Sequence, residues 1–174
     1  MASASAIGTL VSLAGAERVA VTVGTGFTGA LTLGQRPVRW TFVADYVRAL
    51  RGLLRGEQVE RNGAPIRMMQ YPDFGPPRPI EIPILVGAAG PKGTAVAREL
   101  GDGVFGAMRP VPGFDWSAVL TCDTVLDEGE HPGSERVLAA AGHAAGVTMH
   151  YAVEFGGVDR LPNGHMASGL VSEK

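Results

Sequence analysis

The sequence predicts an α/β fold built on a parallel sheet, and three observations carry that reading. Four short apolar runs, Val19–Val23, Pro83–Val86, Val104–Ala107 and Val119–Leu126, alternate with stretches of helical periodicity. Continuous β-branched runs of this kind suit strands buried on both faces. Two of them end in glycine-rich tips, Gly24–Gly29 and Gly87–Gly90, at strand C-termini, where parallel α/β folds place ligands. Finally, Pro83–Gly106 reads strand, small-residue loop, helix, strand, which is one complete β-α-β unit.

The elements follow in order. Ile7, Leu10, Val11 and Ala14 fall at helical spacing, giving a short amphipathic helix that Gly15 closes. Val19–Val23 then runs into Gly24-Thr25-Gly26-Phe27-Thr28-Gly29, which matches G-x-G-x-x-G letter for letter. A dinucleotide fingerprint needs a helix that begins inside the glycine loop. The chain continues through Gly34 and Pro37 instead, and Asp45 falls inside a helix and not at a strand tip, so a dinucleotide fold is disfavoured. The helix Thr41–Arg55 presents Phe42, Val43, Tyr46, Val47, Leu50, Leu53 and Leu54 on one broad face. Arg48, Arg51 and Arg55 make a solvated face on the other side, and Gly56 caps the end.

Residues 57–79 are an excursion from this rhythm. Asn62-Gly63 between strand-like flanks signals a hairpin, and a proline-rich loop from Tyr71 to Pro79 follows. In the central unit Gly87–Gly90 has almost no side chain, and Pro91 suits a first helical position. The helix Lys92–Leu100 ends at Gly101, expected as a left-handed cap. A strand tip, a stripped loop and a helix N-terminus together favour an anion, with Lys92 adding a mobile positive charge. The plain alternative is a tight βα turn with nothing bound. Val119–Leu126 is expected as a strand holding Cys122 and Asp123, with Cys122 a small core residue. Ser134–Phe155 is expected to be helical but interrupted near Gly142 and Gly146, with His150 and Glu154 spaced to pair on one face. The segment 156–174 reads as a flexible tail.

Composition bounds the function. A chain of 174 residues, 45% hydrophobic and 18% charged, reads as a single globular domain over 1–174. A net charge of −2 gives no electrostatic reason for a nucleic-acid or acidic-membrane partner. One cysteine excludes an internal disulfide framework and favours a reducing, cytoplasmic setting. No apolar run approaches the roughly 20 residues of a membrane span, and no metal-ligand spacing is present.

Taken as an ordered set, Val-Gly-Thr-Gly-Phe-Thr-Gly, the segment Asp45–Glu57, Pro-Ile-Leu-Val-Gly-Ala-Ala-Gly-Pro-Lys and Gly-Asp-Gly-Val-Phe resemble the bacterial luciferase-like monooxygenases. That family includes deazaflavin-dependent oxidoreductases. The similarity covers Ala6 to Gly164. It implies a partial (β/α)8 TIM-type barrel, roughly the fourth to seventh βα units. It also implies a flavoprotein oxidoreductase or monooxygenase that acts on a small-molecule substrate with FMN or the deazaflavin coenzyme F-420. By the resemblance, Gly24, Thr25 and Gly26 line the flavin, and Ala88, Ala89 and Gly90 present amides to its phosphate. Gly106 sits on the next strand tip, and no catalytic residue is assigned. A full barrel needs about 250 residues, so the expectation is a portion of one, completed by a homo-oligomer or by a missing N-terminal half, with open strand edges that oppose a well-behaved monomer. A second expectation is a non-catalytic remnant that at most binds a phosphorylated ligand.

Overall fold

The computed structural model describes residues 2–69, 74–107, 109–121 and 123–154. The elements run α1 (Ala2–Ala14), a 3-10 turn (Ala16–Arg18), β1 (Val21–Val23), α2 (Phe27–Thr32), α3 (Trp40–Arg55), β2 (Val59–Arg61) and β3 (Ala64–Ile66). They continue with β4 (Ile84–Gly87), α4 (Pro91–Leu100), β5 (Gly103–Ala107), β6 (Ser117–Leu120) and α5 (Glu135–Glu154). Contacts divide the chain into two units, residues 1–120 and 121–174.

In the first unit, β1, β4, β5 and β6 form one sheet in that order, and every pairing is parallel. β4 is buried almost throughout: neighbouring strands occupy both of its edges, and Leu85 is buried on the face opposite Ile84 and Val86. The expected strand Val19–Val23 is shorter and less buried than its sequence suggests. Val19 is buried, but Val21–Val23 is only partly so, because β1 is an edge strand with one neighbour. The expected strand to Leu126 also ends early, at Leu120. β5 stops at Ala107, opposite Leu120, so the chain beyond has no ladder to join and Asp123 is not in a strand.

Two clusters make the core of this unit. The larger joins Ala4, Ile7 and Val11 of α1 to Val43, Val47, Leu50, Leu53 and Leu54 of α3 and to Ile80, Ile82 and Ile84. The smaller joins Val86, Ala88 and Val104 to Ala97 of α4, with Trp40 packed against both. Phe42, expected in the α3 stripe, is 45% exposed instead, and the guanidinium of Arg61 stands 4.6 Å from its ring centroid. Gly56 ends α3 in the left-handed region, as expected. Gly101 does not end α4 that way. Its φ is −88°, and glycine is needed there because a Cβ would meet the carbonyl oxygens of Gly103 and Ala97 at 2.8 and 2.9 Å.

The basic face of α3 is tied down and is not merely solvated. Arg51 donates to the carbonyl of Leu100 at 2.9 Å and pairs with Asp102 at 2.7 Å, while Arg48 pairs with Glu99. The hairpin of β2 and β3 turns at Asn62 and Gly63, both at positive φ, as an Asn-Gly pair permits.

In the second unit, α5 is a continuous helix across Gly142 and Gly146. Each glycine costs about 1 kcal/mol against alanine, and the alanines at 139–141, 144 and 145 carry the helix through. Ser134 caps it, its Oγ accepting the N–H of Val137 at 3.2 Å. Cys122, the side chains of His150 and Glu154, and the segment 156–174 lie outside the described residues. Among the described residues, no helix is long and apolar enough to cross a membrane, and no group of acidic, His or Cys residues could hold a metal.

Candidate functional site

The parallel register aligns Val23 with Val86, so β1 and β4 end within one residue of each other, while β5 and β6 run on to Ala107 and Leu120. Both glycine-rich tips therefore stand at the C-terminal end of the same sheet. They also touch. A Cβ on Gly24 would lie 3.3 Å from the carbonyl oxygen of Gly87, so the two loops approach backbone to backbone where β1 and β4 end.

Beyond Gly24 the loop is held by the N–H of Val38, which donates to the carbonyl of Thr25 at 3.0 Å. Gly26 adopts φ 70° and ψ 31°, a left-handed conformation that begins the six-residue helix α2. A helix thus does begin inside the glycine loop, contrary to expectation, and that ground for disfavouring a dinucleotide fold falls. The other ground holds: Asp45 lies within α3, away from any strand tip, and pairs with Arg48 at 3.3 Å.

Across the mouth, Ala88 is buried and its N–H already donates to the carbonyl of Phe105 at 3.1 Å. Its amide serves the sheet. Ala89, Gly90, Pro91 and Lys92 are exposed. Gly90 caps α4 in extended backbone, φ −104°, and a Cβ there would meet nothing within 4 Å. Pro91 takes the first helical position, as expected. Pro91 has no N–H and the Thr94 N–H is bound to the Gly90 carbonyl, so the N–H groups of Lys92 and Gly93 are the first-turn donors that the helix leaves without a helical partner, at the positive end of its dipole. Gly106 stands on the adjacent strand but is buried under the following loop. A Cβ there would lie 2.6 Å from the carbonyl oxygen of Arg109. The structure thus brings Gly24 against Gly87, places Thr25 and Gly26 and Ala88, Ala89 and Gly90 in the loops that follow these two neighbouring strands, and leaves Gly106 covered.

A cavity of about 340 Å3 is lined by Val21–Gly24 of the first strand and its tip together with Val38, Phe42 and Tyr46. Larger cavities lie elsewhere. One of about 530 Å3 is at the N-terminal end of the strands, between Arg51, Ile84 and Asp102, and one of about 450 Å3 lies between α3 and the hairpin. Size alone therefore does not pick out the strand C-termini. Topology does.

A model of the luciferase-like monooxygenase family matches residues 1–119. The chain belongs to that family. A comparison with curated proteins found no match. The family match spans the whole sheet except Leu120, so it stops well short of Gly164, where the resemblance was expected to end. The four-stranded parallel sheet with its intervening helices is consistent with part of the family's TIM-type barrel. Members of luciferase-like families are oxidoreductases that work with flavin-type cofactors, and this places the chain in oxidoreductase chemistry.

Sequence reasoning missed two residues at this mouth, Gly93 and Trp40. A Cβ on Gly93 would strike the Trp40 ring and Ala88. The available signal was a glycine near the start of a helix, where its cost marks a close approach.

Proposed function

We propose that the C-terminal mouth of the sheet holds the phosphate-bearing side chain of a flavin or deazaflavin, and that the chain serves a luciferase-like oxidoreductase reaction on a small-molecule substrate. The observation that carries this is the close backbone approach of Gly24 to Gly87, which brings the starts of the two glycine-rich tips together where β1 and β4 end. The residues present fit such a group. A Cβ on Gly90 would meet nothing within 4 Å, the ten-residue helix α4 starts there with the Lys92 and Gly93 N–H groups free of helical partners, and Lys92 is exposed. In this reading Ala89, Gly90 and the first turn of α4 receive the phosphate. Ala88 anchors that loop to β5, Gly106 seats the neighbouring strand tip, and Gly24, Thr25 and Gly26 line the rest of the ligand. A bound flavin would supply the hydride and oxygen chemistry, while the chain binds, orients and excludes water. FMN, a phosphate monoester, and the deazaflavin coenzyme, a phosphate diester, would both present anionic phosphate oxygens to this loop.

The test is flavin fluorescence titrated against the parent, Lys92→Ala and Gly90→Val. Lys92→Ala is expected to weaken FMN binding by about 0.3–1 kcal/mol, the worth of an exposed charge near a helix terminus. Gly90→Val is expected to weaken it by about tenfold or more, because two methyl groups would fill the approach to the amides. Extended φ at Gly90 means that valine brings no backbone strain, so a loss there reads the ligand's space and not the fold. A parent that binds no flavin, or a Gly90→Val variant that binds like the parent, overturns the reading.

A further inference from the structure

Two residues outside the glycine-rich tips decide where α4 begins. A Cβ on Gly93 would lie 2.5 and 2.6 Å from two ring carbons of Trp40 and 2.6 Å from the Cβ of Ala88. Real side chains do not take such separations, so the helix stands where it does only because residue 93 has none. Neither neighbour yields easily. The Trp40 ring packs against both core clusters, and Ala88 is 6% exposed with its N–H bound to β5. On the turn itself, the N–H of Thr94 donates to the carbonyl of Gly90 at 3.0 Å, and its hydroxyl donates to that of Pro91 at 3.0 Å.

Trp40 is the first residue of α3, and Arg51, three turns on, holds the other end of α4 through Leu100 and Asp102. α3 therefore fixes α4 at both ends: apolar contact at the N-terminus, charged hydrogen bonds at the C-terminus. A glycine within a helix costs about 1 kcal/mol against alanine. Here that cost coincides with the one place where the helix must come within contact of an indole and a strand tip.

Resting on the reading of the α4 N-terminus as the phosphate end of the cofactor site, we propose that Trp40 and Gly93 are positioning residues that set the distance between the first-turn amides and the Gly87–Gly90 tip. They act through α4 and need not touch the ligand. Their contribution is then specific to the phosphate and leaves the rest of the flavin indifferent.

The experiment titrates the full chain and its Gly93→Ala, Trp40→Phe and Trp40→Ala variants with FMN and, separately, with riboflavin, which lacks the phosphate. Circular dichroism at the titration temperature confirms that each variant is folded. The parent is expected to prefer FMN. In Gly93→Ala the FMN affinity falls on the order of tenfold, as small displacements of positioned groups do, while the riboflavin affinity holds. Trp40→Phe, which keeps a ring, is expected to lose less of the FMN preference than Trp40→Ala. Equal losses for both ligands, or an unchanged FMN preference in all folded variants, overturns the positioning role and leaves the cofactor reading standing. A parent that binds neither ligand, or does not distinguish them, overturns both. Should Gly93→Ala fail to fold, the two Trp40 variants decide by the same ratio.

Discussion

At the scale of single residues, the glycines of the mouth differ in what they require. Gly26 sits at φ 70° with open space around its Cα, so a side chain there is opposed by backbone conformation alone. Gly90 sits at φ −104°, also in open space, so nothing in the fold opposes a side chain. Gly26→Ala is therefore expected to cost about 1 kcal/mol, and Gly90→Ala is expected to stay within about 0.5 kcal/mol of the parent. Denaturant unfolding followed by tryptophan fluorescence checks both, since Trp40 and Trp116 both lie in the first unit. A destabilised Gly90→Ala would mean that the open space is occupied by something else. The sequence marks each of these positions with the same letter. It shows that side chains are absent but not whether the reason is a left-handed turn, as at Gly26, or carbonyl oxygens close by, as at Gly101. Neighbours brought together by the fold decide that, and local pattern carries no trace of them.

At the scale of elements, legibility follows how much of the pattern is local. The hairpin was readable because Asn62 and Gly63 meet the positive φ of a tight turn by themselves, and α4 because Pro91 marks its start. The end of β6 was not, because it depends on where β5 stops. The start of α5 has a device of its own that involves the preceding loop. Glu130 accepts from the Arg136 guanidinium, from the Asp127 N–H at 3.0 Å and from the Ser134 hydroxyl at 2.8 Å, and Ser134 in turn caps the helix. These donors, Arg136 foremost, bring the Glu130 carboxyl from its ordinary 4.5 down to about 2. A carboxyl depressed on folding contributes stability that is present above its unfolded value and lost as pH falls through the folded one. The N-terminal turn of α5 is therefore expected to hold its full protection near neutral pH and lose this contribution between pH 4.5 and about 2. Amide exchange at Val137 and Leu138 across that range checks it. Glu130→Gln is expected to exchange faster at neutral pH and to show no such acid step.

At the scale of the first unit, the sheet has two unequal faces, and alternation along its strands assigns each residue to one of them. Ile84, Val86 and Val104 lie on the face covered by α3 and α4 and are 1%, 0% and 0% exposed. Thr22, Leu85, Phe105, Ala118 and Leu120 lie on the other, where Leu85 at the centre is 3% exposed, Phe105 and Ala118 are partly covered, and Thr22 and Leu120 towards the edges are exposed. Parallel pairing was legible from the alternation of apolar runs with helices. The inequality of the faces was not, because a run such as Ile-Leu-Val has no alternation of its own. Substitutions of similar chemistry on the two faces should therefore differ widely. Val104→Ala removes two buried methyl groups from the cluster that holds Ala88 and Ala97, and is expected to cost about 2 kcal/mol. Leu120→Ala removes more carbon, but from a side chain 54% exposed, and is expected to cost well under about 1 kcal/mol. Denaturant midpoints at constant slope give the comparison directly. Because Val104 packs in the same cluster as Ala88, Val104→Ala is also expected to loosen the α4 start and weaken FMN binding, whereas Leu120→Ala leaves binding at the parent's value. A Leu120→Ala variant as destabilised as Val104→Ala would show that the cover over Leu85 on the second face extends out to β6 in the folded protein.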